Sequence, residues 1–237
     1  MNKWLLTALT LAASHAVAMD GMDSPHPEHN QWMLSAPELE WRDDDGDNIT
    51  AWKVSGWYGG DTNKVTFASE GEALEGDTES HELRLGLRHA IAPYWDLTAG
   101  ARRDLQPDDP SRDWGYLGLT GTAPWFIETD ATLFVGEHGL SNLRLEFGYE
   151  LLFTQRLILE PEIEINAYGK DDDALGVQSG LTDIEAGLRL RYEIRKQFAP
   201  YIGVHHERLL GDTRELADRG GEHTEETLFV AGLKLWY

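Results

Sequence analysis

The chain has no cysteine. Disulfides, thiolate metal ligands and cysteine nucleophiles are therefore excluded. Basic residues are scarce: 20 Lys and Arg stand against 42 Asp and Glu, for a formal net charge of -22. A surface of that sign repels phosphate, which excludes nucleic acid as a partner. It suits cation collection or a saline setting. No GxGxxG fingerprint, P-loop or GxSxG elbow occurs. Serines such as Ser55, Ser111, Ser141 and Ser179 lie in unrelated contexts, so no Ser/His/acid set points to an enzyme. No apolar run reaches the roughly 20 residues of a membrane-spanning helix. Methionine is the last shortage. Of four, one is Met1, the others are Met19, Met22 and Met33, and none follows.

What is present is 24 Gly, nine Trp and eight Tyr, a glycine content that argues against a helical bundle. Residues 1–18 read as a secretory signal: Lys3 gives the positive start, Trp4 to Ala13 the short apolar run, and Ala16-Val17-Ala18 the small-x-small cleavage site. The mature chain would begin at Met19. The expected organisation is a signal over 1–18, an arm over 19–36 and one large domain over 37–237.

That domain has a period of two. In Asn142 to Leu151, Leu143, Leu145, Phe147, Tyr149 and Leu151 share one face, and Arg144, Glu146, Gly148 and Glu150 the other. Leu159, Ile163 and Ile165 alternate with Glu160, Glu162 and Glu164. Ile184, Leu188 and Leu190 alternate with Glu185, Arg189 and Arg191. A soluble sandwich also alternates, but here the polar faces mix both charge signs with glycine, as inside a barrel lumen. Strands are expected to start near 37, 48, 62, 79, 94, 113, 125, 140, 156, 181, 198 and 224. Their connections alternate between longer acidic stretches and tight turns such as Ala92-Pro93, Ala123-Pro124 and Thr154-Gln155. Aromatics cluster by the tight turns: Tyr58, Tyr94, Trp95, Trp125, Phe126, Phe153, Phe198 and Tyr201. The expected fold is all-β, an antiparallel up-and-down transmembrane β-barrel of about twelve strands, with ten as the alternative. It would sit in a Gram-negative outer membrane among its lipids, with both termini on the periplasmic side. Glu82, Arg84, Arg88, Arg102, Arg144, Glu146, Glu150, Glu160, Glu162, Glu164, Arg189, Arg191 and Glu193 would fill the lumen as an ion-paired plug, with Glu160, Glu162 and Glu164 as a second reading, a cation path.

The arm carries Pro25, Pro27 and little aliphatic content, the composition of a disordered segment. Thioethers there serve no core. Soft methionine sulfur prefers Cu(I), while imidazole accepts Cu(II) and Cu(I). Met19 and Met22 are three apart, as are His26 and His29, and Met33 follows. Together they form a candidate copper site that a flexible chain could fold around one ion. His205 and His206 are adjacent on a strand, so they face opposite ways and cannot share an ion. His205 would face the lumen and is a further candidate ligand. His81, His89, His138 and His223 read as surface or loop residues.

Several stretches resemble the copper resistance protein B family of the Gram-negative outer membrane: "TQRLILEPEIEINAYGKDD" (154–172), "GLRLRYEIRKQFAPYIGV" (187–204), "GTAPWFIETDATLFVGEHG" (121–139) and "ARRDLQPDDPSRDWGYLGLTG" (101–121). The likeness covers most of residues 38 to 237. It implies a barrel, copper tolerance, an N-terminal arm rich in Met and His, and cooperation with a periplasmic multicopper oxidase. The arm is the departure, with Gly21 where a Met-Asp-His-type unit would place histidine. The expectation is therefore a copper-binding outer-membrane protein. The alternative is a small channel or porin with an incidental tail.

Overall fold

Alternating sequences build strands with one apolar and one polar face. A membrane satisfies the first only if the sheet closes and leaves no unpaired edge. The computed structural model describes residues 30–44, 47–105, 111–172 and 175–237, and shows that closure. The strands are β1 Gln31–Asp44, β2 Asp47–Gly59, β3 Asn63–Leu74, β4 Asp77–Ala92, β5 Trp95–Leu105, β6 Arg112–Ala123, β7 Ile127–Gly136, β8 Ser141–Gly148, β9 Leu151–Leu152, β10 Leu157–Tyr168, β11 Gly180–Tyr192, β12 Phe198–Leu209 and β13 Glu225–Trp236. The short β9 continues β8 after a two-residue break, and both pair with β10. The barrel thus has twelve strands, each antiparallel to its neighbours, and β1 pairs with β13 to close it. Beyond that ladder, Leu34 and Tyr237 exchange backbone hydrogen bonds at 3.0 and 2.8 Å.

Eleven of the twelve strands start within two residues of the expected positions. The first starts at Gln31, six residues before 37. The physical reason is a bulge: the register of β1 shifts between Ser35 and Glu38 against β2, and between Ala36 and Glu40 against β13. Pro37 sits in that bulge, where its missing N–H costs no ladder bond. The bulge also breaks the alternation that would have marked the strand. Met33, expected on the arm, therefore lies on β1. The rest of the 30–36 part of the proposed arm is described with it, while the signal and residues 19–29, including Met19, Met22, His26 and His29, lie outside the described residues.

The two ends of the barrel differ. At the end carrying both termini the connections are short. Trp125 and Phe126 occupy one of them with positive φ (66° and 64°), uncommon for aromatic residues. Both are strongly exposed there, as are Tyr58, Tyr94 and Phe153, matching an interfacial aromatic girdle. Tyr201 is an exception to that expected girdle: it is buried and turns inward.

The opposite end is less loop-rich than the acidic stretches suggest. The stretch Ser69 to Ser80 is two long strands joined at Glu75-Gly76, with φ of 50° and 99°. The stretch after Leu210 is not irregular but holds an α-helix, α1, Gly211–Gly220. Only Thr213 and Ala217, four apart, are buried in it, too narrow a stripe to show as helical periodicity. Gly221 ends it in the left-handed conformation. Gln178 N–H donates to Thr213 Oγ1 at 2.9 Å, which ties α1 to the segment just before β11.

The barrel is inside-out relative to a soluble domain. Leu85, Leu87, Ile202 and Phe229 are 63%, 66%, 65% and 72% exposed, while Glu40, Arg42, Arg102, Glu160, Arg189 and Arg191 are buried. An apolar belt around a polar interior is the arrangement of an outer-membrane barrel.

Candidate functional site

Every second residue of each strand points into the lumen, so the polar faces converge there. The pattern yields a network in which most of the inward cations are shared by several carboxylates. On β11, Arg189 reaches Glu38 Oε2 at 3.0 Å, Glu40 Oε1 at 2.5 Å and Glu162 Oε2 at 2.7 Å. Two further strands, β12 and β13, lie between β11 and β1, so Arg189 spans the closure of the barrel. Arg191 pairs with Glu150 at 2.8 Å and with Glu160, which also takes Lys234 at 2.6 Å.

Other pairs cross the lumen. Lys53 on β2 reaches Glu146 on β8 at 3.2 Å and Glu70 on β3 at 3.5 Å. Arg144 on β8 reaches Glu164 at 3.0 Å and Glu82 on β4 at 3.3 Å. Arg102 adds Glu82 at 2.9 Å and Asp104 at 2.7 Å. Phe134, fully buried, lies between Arg102 and Arg144, whose guanidinium carbons are 4.6 and 5.6 Å from its ring centre. Opposed glycines make room for one more ring: a Cβ on Gly86 or Gly100 would strike Tyr116.

Around these bridges runs a cavity of about 710 Å³. Its wall carries thirteen acidic residues and five basic ones, so the lumen keeps a net negative field after its ion pairs are counted. It reaches from Thr122 and Glu128 near the terminal end to Leu175 and Val177 under the outer loop. A negatively lined passage with low-dielectric walls concentrates cations.

The candidate ligands fall in different places. His205 is buried and lines the cavity, with Nε2 3.7 Å from Glu185 Oε2. His206 turns outward, where Nδ1 and Thr227 Oγ1 are 2.8 Å apart. Met33, exposed at the start of β1, is opposite Trp57 of β2, near the end of β13. His205 is opposite Leu228, at the other end of β13, roughly 25 Å away at 3.3 Å per residue. The two therefore cannot share an ion within the barrel. Among the described residues, no three His, Asp or Glu groups are drawn together as a metal site. His81 pairs with Ser69 Oγ at 3.0 Å and stacks edge-on to Trp52, on the face opposite Lys53 and Glu70.

The expected lumenal set was incomplete. Glu38, Glu40 and Arg42 were hidden with the bulged first strand, although "ELEWR" does alternate. Lys53, Glu70 and Glu72 lie on β2 and β3, whose inward faces also carry Ala51, Ser55, Thr66 and Ala68 and look less charged. Glu185 and Glu207 were visible on polar faces, but their opposition across two strands is a matter of register.

Known proteins match this chain at two levels. The family described as "Copper resistance protein B precursor (CopB)" matches residues 30–237. A protein named "Copper resistance protein B" from Escherichia coli is 43% identical over 212 residues, 90% of this chain and 71% of that protein. A "Copper resistance protein B homolog" from Pseudomonas syringae pv. tomato is 43% identical over 217 residues, 90% of this chain and 74% of that protein. Among solved structures, a NanC porin superposes with a TM-score of 0.56 at 11% identity, over 86% of this chain and 99% of that one. A KdgM porin gives 0.52 at 12% identity, over 86% and 98%. At such identities the two porins speak for the barrel fold alone.

Proposed function

The chain belongs to the copper resistance protein B family, and from that premise we propose that it confers copper resistance by binding copper at the outer membrane and moving or sequestering it there. The observation that carries this reading is the 43% identity, over nine-tenths of the chain, to proteins named for copper resistance. The barrel serves as an anchor whose acidic lumen attracts cations. The arm, on the periplasmic side, supplies the soft ligands: Met19, Met22, His26 and His29, with Met33 where the arm enters the barrel. Thioether sulfur favours Cu(I), and imidazole takes either oxidation state. His205 contributes inside the lumen. The protein works by binding and passage rather than by catalysis, and a periplasmic multicopper oxidase is the partner that would use its copper chemistry.

The test is survival on copper of cells lacking their own tolerance. The full chain is expected to restore growth. A variant with Met19, Met22, His26 and His29 replaced by Ala is expected to lose most of that gain at equal outer-membrane abundance. Equal tolerance in the two would remove the arm from the function and leave it with the barrel.

A further inference from the structure

The strand registers place six carboxylates directly opposite one another on successive strands, ending with Glu226 of β13 opposite Glu207, and the first five face the lumenal cavity. Asp130 faces Glu146, Glu146 faces Glu164, Glu164 faces Glu185, and Glu185 faces Glu207. Because barrel strands tilt, a row perpendicular to them spirals along the axis. This one climbs from Asp130, the fourth residue of β7 counted from the terminal end, to Glu207, the tenth residue of β12. Like charges directly opposed weaken a sheet, so packing alone gives no reason for the row.

Its lower part is compensated within the protein. Asp130 accepts from Thr120 and Thr132 at 2.7 and 2.5 Å, Glu146 has Lys53, and Glu164 has Arg144. Its upper part is not. Among the described residues, no Lys, Arg or His forms an ion pair with Glu207, and Glu185 has only His205 Nε2 at 3.7 Å. The His205 side chain is 8% exposed, faces the same cavity, and has no hydrogen bond to either ring nitrogen among the described residues. A buried imidazole with no hydrogen bond, beside two carboxylates that no Lys or Arg meets in an ion pair among the described residues, is a donor set suited to a cation.

We propose that the row is a cation ladder through the barrel and that His205, Glu185 and Glu207 form its binding step. One imidazole nitrogen and two carboxylates suit a late first-row divalent ion, and Cu(II) binds most tightly of that series. The ladder deepens the copper reading and rests on it only for the identity of the cation. Glu185 lies opposite Glu207 in register and 3.7 Å from His205, but the three are not drawn together as a closed metal site. That fits a step that an ion enters and leaves rather than a store. Below it, Lys53 and Arg144 occupy Glu146 and Glu164 as resident charges that an advancing ion displaces.

The experiment uses the full-length chain in detergent, with Met19, Met22, His26 and His29 replaced by Ala so that the arm does not compete. Cu(II) is added and followed by electron paramagnetic resonance. The expected signal is one cupric ion coupled to a single nitrogen. H205A should remove that coupling and weaken binding by at least the roughly 10–100-fold that loss of even a supporting partner costs. E185Q/E207Q should weaken binding likewise and, without metal, raise the melting temperature, because the opposed charges are gone. An unchanged nitrogen-coupled signal in H205A, or a lower metal-free melting temperature in E185Q/E207Q, overturns the ladder and leaves the copper-tolerance reading standing. Failure of the full chain to restore copper tolerance, with the lumenal signal intact, overturns that reading and leaves the ladder.

Discussion

Replacing Arg189 by Leu removes the shared cation of three carboxylates while keeping most of the side-chain volume. Glu40, whose side chain is 0% exposed, keeps Arg42 at 3.0 Å; Glu38 keeps only the same Arg42, at 3.9 Å. Glu162 loses its ion-pair partner but is 44% exposed, so water takes over much of that role and its share is small. Removing one partner of a buried pair costs about 3–5 kcal/mol. The Arg42 that remains on Glu40 places R189L near the lower end, about 3 kcal/mol. The control is Arg103, which pairs with Asp113 at a similar 2.8 Å, but with both side chains more than half exposed. R103L should cost about 0–1 kcal/mol. The assay is reversible urea unfolding of the barrel in lipid vesicles, followed by tryptophan fluorescence. R189L/E40L should recover part of the loss, because a buried pair replaced by apolar groups is often neutral. Equal costs for R189L and R103L would refute the reasoning, since both burial and the number of carboxylates served set Arg189 above Arg103.

Three further outcomes follow from the same structure. L85R puts a charge on the lipid face and should cost about 2–4 kcal/mol in vesicles; the vesicle unfolding assay reads it, and a neutral result would place Leu85 outside the hydrocarbon. F134A removes a fully buried ring between two guanidinium groups and should cost about 3–5 kcal/mol; a loss below about 1 kcal/mol would show that the lumen collapses or fills with water at no cost. K53M frees Glu70 and Glu146 from their ammonium partner and should raise cation conductance across planar bilayers, while an unchanged trace would put the constriction elsewhere.

Some of this was legible because period two is a local property. The runs around Leu143, Ile163 and Leu188 fix which residues face lipid whatever their neighbours are, and the tight turns fix where strands end. The α1 segment was not legible, because two buried positions do not make a stripe. Nor was the start of β1, because Pro37 and its bulge interrupt the alternation just where the barrel closes. Tyr201 lies near a turn among the girdle aromatics, but the parity of β12, readable in the sequence, sends it inward with His205.

The sequence by itself determined that this chain is a barrel with a charged interior, since each strand carries its own two-sided pattern. It also determined the family, through the long ordered matches across the strands. Only the tertiary structure decided which charges meet. Arg189 reaches Glu38 and Glu40 because β11 lies near β1 in a closed sheet, not because of any spacing along the chain. Lys53 meets Glu146 only across the lumen. The carboxylate row from Asp130 to Glu207 exists only in the strand register, and a slip of one residue on any strand would turn one of its members out to the lipid.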